Sequence, residues 1–164
     1  MRRLLLIVPC LVLAVAAASS QFGSVAYDAK TDTYTLTTDT EGIAAWGTVE
    51  HGRNETGWDT LHIHTSADYS DEVQMHAAGM LEGSFFSREI FDHMHNLWDW
   101  YLYDYVNATE FPQELYDYLE ANEEYVRASV SQYAGKDKFW EQVGLTVAQF
   151  DGIVEGYAAR AGPG

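Results

Sequence analysis

Residues 57–100, GWDTLHIHTSADYSDEVQMHAAGMLEGSFFSREIFDHMHNLWDW, indicate a strand, a capped turn and two consecutive helices. The side chains of 58–65 fall alternately on two faces, and this period of two predicts a half-buried strand. One face carries Trp58, Thr60, His62 and His64, and the other Asp59, Leu61, Ile63 and Thr65. Ser70 can cap a helix whose first turn carries Asp71 and Glu72, where the helix dipole favours negative charge. The expected buried stripe of this helix, with one residue every four, is Val73, Ala77, Leu81 and Phe85.

Small residues interrupt the first of these helices. A glycine inside a helix weakens it by about 1 kcal/mol relative to alanine. We therefore expect Gly79 and Gly83 to mark a close approach of another backbone. The Gly152-x-x-x-Gly156 pattern near the end of the sequence is interpreted in the same way, as helix packing.

Strands are predicted before this stretch and helices after it, which gives an α+β chain. Residues 25–27 and 33–37 flank the turn-rich segment 28–32 and predict a hairpin. Residues 43–49 predict a third strand.

Three more helices are predicted after the first. Ser87 is expected to cap one, Pro112 to be the first residue of the next, and Gly135 to end it. The capping-box pattern at 146–149 is expected to open the last helix. The three predicted inward stripes are Ile90, Met94, Leu97, Trp98, Tyr101 and Tyr105; then Leu115, Leu119, Val126, Val130 and Tyr133; then Phe150, Ile153, Val154 and Tyr157.

The charge of the chain argues against nucleic acid as a partner. The formal net charge is −16, from 25 acidic residues against 9 lysines and arginines. Such a surface repels nucleic acid and anionic membranes. An acidic surface also suits an acidic compartment, where part of the charge is neutralised.

Residues 1–18 are predicted to be a secretory signal peptide, leaving 19–164 as the mature chain. Arg2 and Arg3 form the charged end, 4–15 the apolar core, and 16–18 offer small residues for cleavage. The alternative, a membrane anchor, needs about 20 apolar residues, and this run is shorter. No later run is apolar enough to span a bilayer, so a soluble product of the secretory pathway is expected.

Cys10 is the one cysteine of the sequence, and it lies inside the predicted signal peptide. Residues 19–164 therefore contain no disulfide, no thiolate nucleophile and no cysteine metal ligand.

Two N-glycosylation sequons are present, at Asn54 and Asn107. Both are predicted to lie in polar loops. Behind a signal peptide such sequons are often used, so at least one is expected to be modified.

Other candidate sites are incomplete. His62 and His64 share one face of the predicted strand and could begin a zinc site, but no third ligand can be named, and ordinary hydrogen-bonded histidines are favoured. A carboxylate pair such as Glu82 with Glu89 could do acid–base chemistry only if burial separated their pKa values. Ser84 lies in no G-x-S-x-G elbow.

The stretch around residue 70 also resembles a known family. The order GW, D-x-L-x-I-x-T, an acidic cap and A-A-G-x-L-E-G is similar to the N-terminal region of the phospholipase B-like family, over roughly residues 24–160. The matching residues are Gly57, Trp58, Asp59, Leu61, Ile63, Thr65, Asp71, Gln74, Ala77, Ala78, Gly79, Leu81, Glu82 and Gly83, with Phe139, Trp140, Val143, Gln149 and Gly152 near the end.

This resemblance implies a four-layer αββα fold of the N-terminal nucleophile hydrolases. It also implies a glycosylated, secreted or lysosomal protein that removes acyl chains from phospholipids, with a cysteine nucleophile exposed by self-cleavage. That cysteine lies downstream of the segment matched here. We therefore expect a truncated N-terminal segment with no catalytic residue, no metal and no cofactor, whose partners are the missing C-terminal segment and, at full length, phospholipid.

Two other functions stay open. The chain could be a short, non-catalytic secreted binding or scaffolding protein derived from that family. A small zinc hydrolase using His62 and His64 ranks last.

Overall fold

The computed structural model describes residues 19–106 and 109–161, which form an antiparallel sheet covered on one face by helices. The predicted signal peptide lies outside the described residues. The strands are β1 (Ser19–Asp28), β2 (Thr33–Thr37), β3 (Ile43–His51) and β4 (Thr60–Thr65), in the spatial order β2-β1-β3-β4. The predicted α+β class and the predicted hairpin are confirmed.

The alternation in β4 is confirmed. Leu61 and Ile63 face the core, while His62 and His64 are exposed on the opposite face. Because β4 pairs with β3 throughout its length, each face of β4 continues the corresponding face of β3.

The helices are the one-turn α1 (Arg53–Thr56), α2 (Asp71–Phe85), α3 (Ser87–Trp98), α4 (Gln113–Tyr133) and α5 (Lys138–Ala161), with a π-helical segment, Asp99–Tyr105, continuing α3. The four longer ones agree with the predicted count. None of the helices in the described part of the chain is long and apolar enough to cross a membrane.

Helix α2 forms the core against the sheet, as its sequence predicts. Ser70 caps it, since the Ser70 hydroxyl accepts a hydrogen bond from the Val73 amide at 3.4 Å. Ala77, Leu81 and Phe85 are buried and pack against apolar residues of β1 and β3. The core cluster consists of Val25, Ala44, Ala45, Val49, Ala77, Met80, Leu81 and Phe85.

Four glycines bring the backbones of α2 and α5 together, which confirms the predicted close packing. A Cβ at Gly79 or Gly83 would lie 2.0 Å from the carbonyl oxygen of Gln149 or Ile153 on α5. Gly152 and Gly156 lie against α2 in the same way, at 2.1 and 2.0 Å from backbone carbonyl oxygens. Ordinary Cβ contacts begin near 3.4 Å, so alanine does not fit at this interface.

Two predicted helix starts are wrong. Ser87 makes no cap hydrogen bond and is the first residue of α3, after Phe86. Helix α5 begins eight residues before Thr146, at Lys138, where the Asp137 carboxylate accepts a hydrogen bond from the Phe139 amide at 2.9 Å. The Thr146 hydroxyl instead donates to the Gln142 carbonyl one turn earlier, a common use of threonine inside a helix.

Helix α4 begins and ends within two residues of the predicted positions. Pro112 precedes the first helical residue, Gln113, and the helix ends at Tyr133, two residues before Gly135.

The apolar stripes predicted for α3, α4 and α5 are largely exposed, contrary to expectation. Met94, Leu119 and Phe150 are 51%, 53% and 59% exposed. In α5 the face that packs against α2 carries Gly152 and Gly156, whereas Phe150 of the predicted inward stripe lies away from it. The period of an apolar pattern shows which residues share a helix face, but whether that face is buried depends on the neighbouring elements.

Candidate functional site

His62 and His64 lie on the outer face of the sheet, the face opposite α2. The His64 ring stacks on Trp46 of β3, with ring centroids 5.6 Å apart. Within residues 19–106 and 109–161, no group of three metal-ligating side chains includes either histidine. The zinc hydrolase hypothesis therefore has no third ligand in the described structure.

The serine and carboxylate candidates are not assembled into a catalytic group. Ser84 is buried and accepts a hydrogen bond from Arg160 Nε at 3.1 Å. Glu82 accepts one from Gln149 Nε2 at 3.1 Å, while Glu89 is bound by Arg53 at 2.8 Å. Glu82 and Glu89 thus have separate partners.

A cluster that sequence reasoning did not identify lies where β3 ends and β4 begins. Arg53 of α1 donates hydrogen bonds to both Asp59 and Glu89, and so links the loop before β4 to α3. His51 Nδ1 lies 3.6 Å from the Asp59 carboxylate. The hydrogen bonds from Arg53 hold the pKa of Asp59 below its usual value, although desolvation acts in the opposite direction.

This cluster leaves one buried acceptor without a partner. The Asp59 side chain is only 9% exposed, and its Oδ1 atom is buried without a hydrogen bond. In the sequence, only Asp59 stood out, as part of the GWD motif. His51 and Glu89 reach Asp59 through strand pairing and helix packing, which the sequence does not show directly.

An acidic and aromatic cleft of about 780 Å³ lies between the β1–β2 hairpin and helices α2 and α5. The Tyr34 ring stacks on the His76 ring at 4.1 Å, and His76 Nε2 lies 2.8 Å from the Glu155 carboxylate. Burial raises the pKa of Tyr34 to about 12. One turn before Glu155 on α5, hydrogen bonds from Arg127 lower the pKa of Asp151.

Of the two sequons, one lies in the described structure. Asn54 is exposed on α1, in a one-turn helix rather than the predicted loop. Asn107 lies outside the described residues.

Comparison with known proteins identifies the family. The family model for phospholipase B matches residues 45–163. The chain is 37% identical over 116 residues to a Caenorhabditis elegans protein named "Putative phospholipase B-like 3", a match that covers 71% of this chain and 19% of that protein. It is 32% identical over 121 residues to "Phospholipase B-like protein E" of Dictyostelium discoideum, covering 74% of this chain and 22% of the relative.

A human relative, "Phospholipase B-like 1", is 29% identical over 120 residues, which are 71% of this chain and 21% of that protein. The chain thus spans about a fifth of the length of the curated relatives that it matches. Since the family model covers well over half of the sequence, the chain belongs to the phospholipase B-like family.

Proposed function

We propose that this chain is the N-terminal part of a phospholipase B-like hydrolase, an enzyme of lipid degradation that removes acyl chains from phospholipids, and that this part alone is catalytically silent. Family membership supports the reaction class. Residues 19–164 contain no cysteine, so the nucleophile of the family mechanism has to come from another segment.

The observation that carries this proposal is the exposure of side chains on the outer face of the sheet, the face opposite α2. Phe22 of β1 is 39% exposed there, and His62 and His64 of β4 are exposed beside it. In an αββα fold, a second sheet packs about 10 Å away on this face and buries such side chains. The described residues supply one helical layer and one sheet, which is half of that arrangement.

The exposed helix faces support the same proposal. Trp100, Tyr103 and Tyr105 are each more than half exposed in the π-helical segment after α3. The rings of Trp100 and Tyr105 stack into an aromatic platform together with those of Tyr101 and Phe111. Apolar patches of this kind mark contact surfaces for further protein, which here would be the downstream segment of the hydrolase.

We also propose that the protein enters the secretory pathway and is secreted or lysosomal. The tripartite pattern of residues 1–18 supports this route. Glycosylation at Asn54 is compatible with the exposure of that side chain on α1.

The test compares two proteins for release of fatty acid from phospholipid micelles. One is the product of the 164-residue sequence, and the other is the chain extended along its natural transcript. We expect release from the extended protein only, and its loss when the cysteine nucleophile is changed to alanine. Fatty acid release by the 164-residue protein would overturn the proposal.

The alternative is a short secreted binding protein with no catalytic role. The exposed aromatic platform, which could dock a partner, is the observation in its favour. A monomeric, soluble product with a natural stop codon after Gly164 would support it over the hydrolase.

A further inference from the structure

Three side chains of metal-binding types meet at one edge of the molecule. His51 ends β3, Asp59 directly precedes β4, and Glu89 lies in the first turn of α3. One potential ligand atom from each lies within 4.8 Å of the other two. Imidazole nitrogen and carboxylate oxygen are both zinc ligands. Three protein ligands, with water in the fourth position, are enough to hold zinc in many proteins.

We propose that His51, Asp59 and Glu89 bind Zn²⁺ in the place that the Arg53 guanidinium fills in this structure. The unpartnered Asp59 Oδ1 supports this assignment. Its side chain is nine-tenths buried, and a buried carboxylate oxygen without a partner is costly. A cation bound to this carboxylate can engage both of its oxygens, whereas Arg53 engages Oδ2 alone.

The spacing of the ligands suits zinc after small side-chain movements. Tetrahedral zinc with bonds of about 2.1 Å holds its ligand atoms about 3.4 Å apart. His51 Nδ1 and Asp59 Oδ2 are already 3.6 Å apart. Glu89 reaches the cluster on a flexible side chain that is one-third exposed, so it can close the remaining gap.

Arg53 competes with zinc for the same two carboxylates. Its side chain is 55% exposed, so it can turn into solvent when the metal enters. Zinc binding and the Arg53 ion pairs therefore exclude each other, and substitutions on the two sides should change the zinc affinity in opposite directions. Removing the arginine should tighten zinc binding, while removing a ligand should weaken it.

The experiment is calorimetric titration of ZnCl₂ into the metal-free 164-residue protein at neutral pH. We expect one zinc per chain and a rise in Tm on binding. His51→Ala and Glu89→Gln should each weaken binding at least about 100-fold, since even the loss of a group that hydrogen-bonds to a metal ligand costs about 10- to 100-fold. Arg53→Gln should tighten it by roughly 2- to 10-fold, because exposed ion pairs are weak competitors.

The matched controls are Glu124→Gln, an exposed carboxylate on α4, and His62→Ala on the outer sheet face. Neither should change the zinc affinity. The urea denaturation midpoint of each metal-free variant is first compared with that of the metal-free parent protein. If His51→Ala fails to fold, Glu89→Gln on the helix surface carries the test.

Three results would overturn the proposal. The first is undetectable zinc binding. The second is zinc binding that is lost with His62→Ala but kept with Glu89→Gln. The third is that Ca²⁺ and Zn²⁺ bind with equal affinity and that neither Glu89→Gln nor Arg53→Gln changes this affinity. That result would indicate diffuse attraction of cations to an acidic surface.

Discussion

The contact between α2 and α5 makes the sharpest prediction about stability. An alanine Cβ at Gly79 or Gly83 would lie 2.0 Å from a backbone carbonyl oxygen of α5, about 1.4 Å closer than ordinary contact. Because those oxygens belong to the backbone of a helix, no side-chain rotation relieves the clash, and the helices must move apart. A gap of 0.5–1 Å already forfeits a quarter to a half of the attraction between packed atoms.

The magnitude follows from two opposing effects. Alanine gains about 1 kcal/mol over glycine in a helix, while overpacking typically costs about 1–3 kcal/mol and sometimes more. The clash at Gly79 is with rigid backbone, so the upper end of that range applies. We expect Gly79→Ala and Gly83→Ala each to lower the free energy of unfolding by about 2 kcal/mol, which corresponds to a fall in Tm of roughly 5–10 °C.

The assay is urea denaturation followed by circular dichroism and by tryptophan fluorescence, to check two-state behaviour. Gly135→Ala is the matched control, because a Cβ at Gly135 meets no atom within 4 Å. It should stay within about 0.5 kcal/mol of the parent. Parent-like stability of Gly79→Ala and Gly83→Ala would refute the close approach of the two backbones.

Other predictions concern charge and modification. Arg127→Gln breaks the two hydrogen bonds to Asp151, at 2.9 and 2.6 Å, and should cost only about 0.2–1 kcal/mol in urea denaturation because the pair is exposed; a loss above 2 kcal/mol would contradict this. Arg53 and Arg127 hold the pKa values of Asp59 and Asp151 below the ordinary 3.8, so both pairs stabilise the fold above that pH. Stability should therefore fall as the pH drops through the folded-state pKa values, and the Tm of Asp151→Asn should depend less on pH between 5 and 2 than that of the parent. Asn54 should carry a glycan in a secretory host, seen as a mass shift that glycosidase removes and Asn54→Gln reduces; an unchanged mass in Asn54→Gln would exclude use of this sequon.

Local patterns predicted the parts of the fold that are fixed locally. Helix α2 could be placed because its cap Ser70, its first-turn acids and its buried stripe all lie within one stretch of sequence. The glycines at 79 and 83 gave the further correct inference of close backbone packing. Strand β4 could be predicted from the alternation of its side chains between two faces, which can be recognised without knowing which strands pair with it.

The predictions that were wrong concern features that depend on contacts with other parts of the fold. Thr146 has the pattern of a helix start, but Asp137 already caps a helix that runs through it. The apolar faces of α3 and α4 were expected to be buried, and their exposure depends on which other segments are present. The cluster of His51, Asp59 and Glu89 could not be foreseen, because the pairing of β3 with β4 brings the first two together and Glu89 is added from α3 by helix packing.

We propose that this chain is the N-terminal part of a hydrolase whose nucleophile lies downstream. Sequencing the natural transcript past the codon for Gly164 tests it most directly. We expect an open reading frame that continues in phase and soon reaches a cysteine codon. A stop codon directly after Gly164 would contradict it, and the exposed faces of the sheet and helices would then have to serve a non-catalytic binding protein.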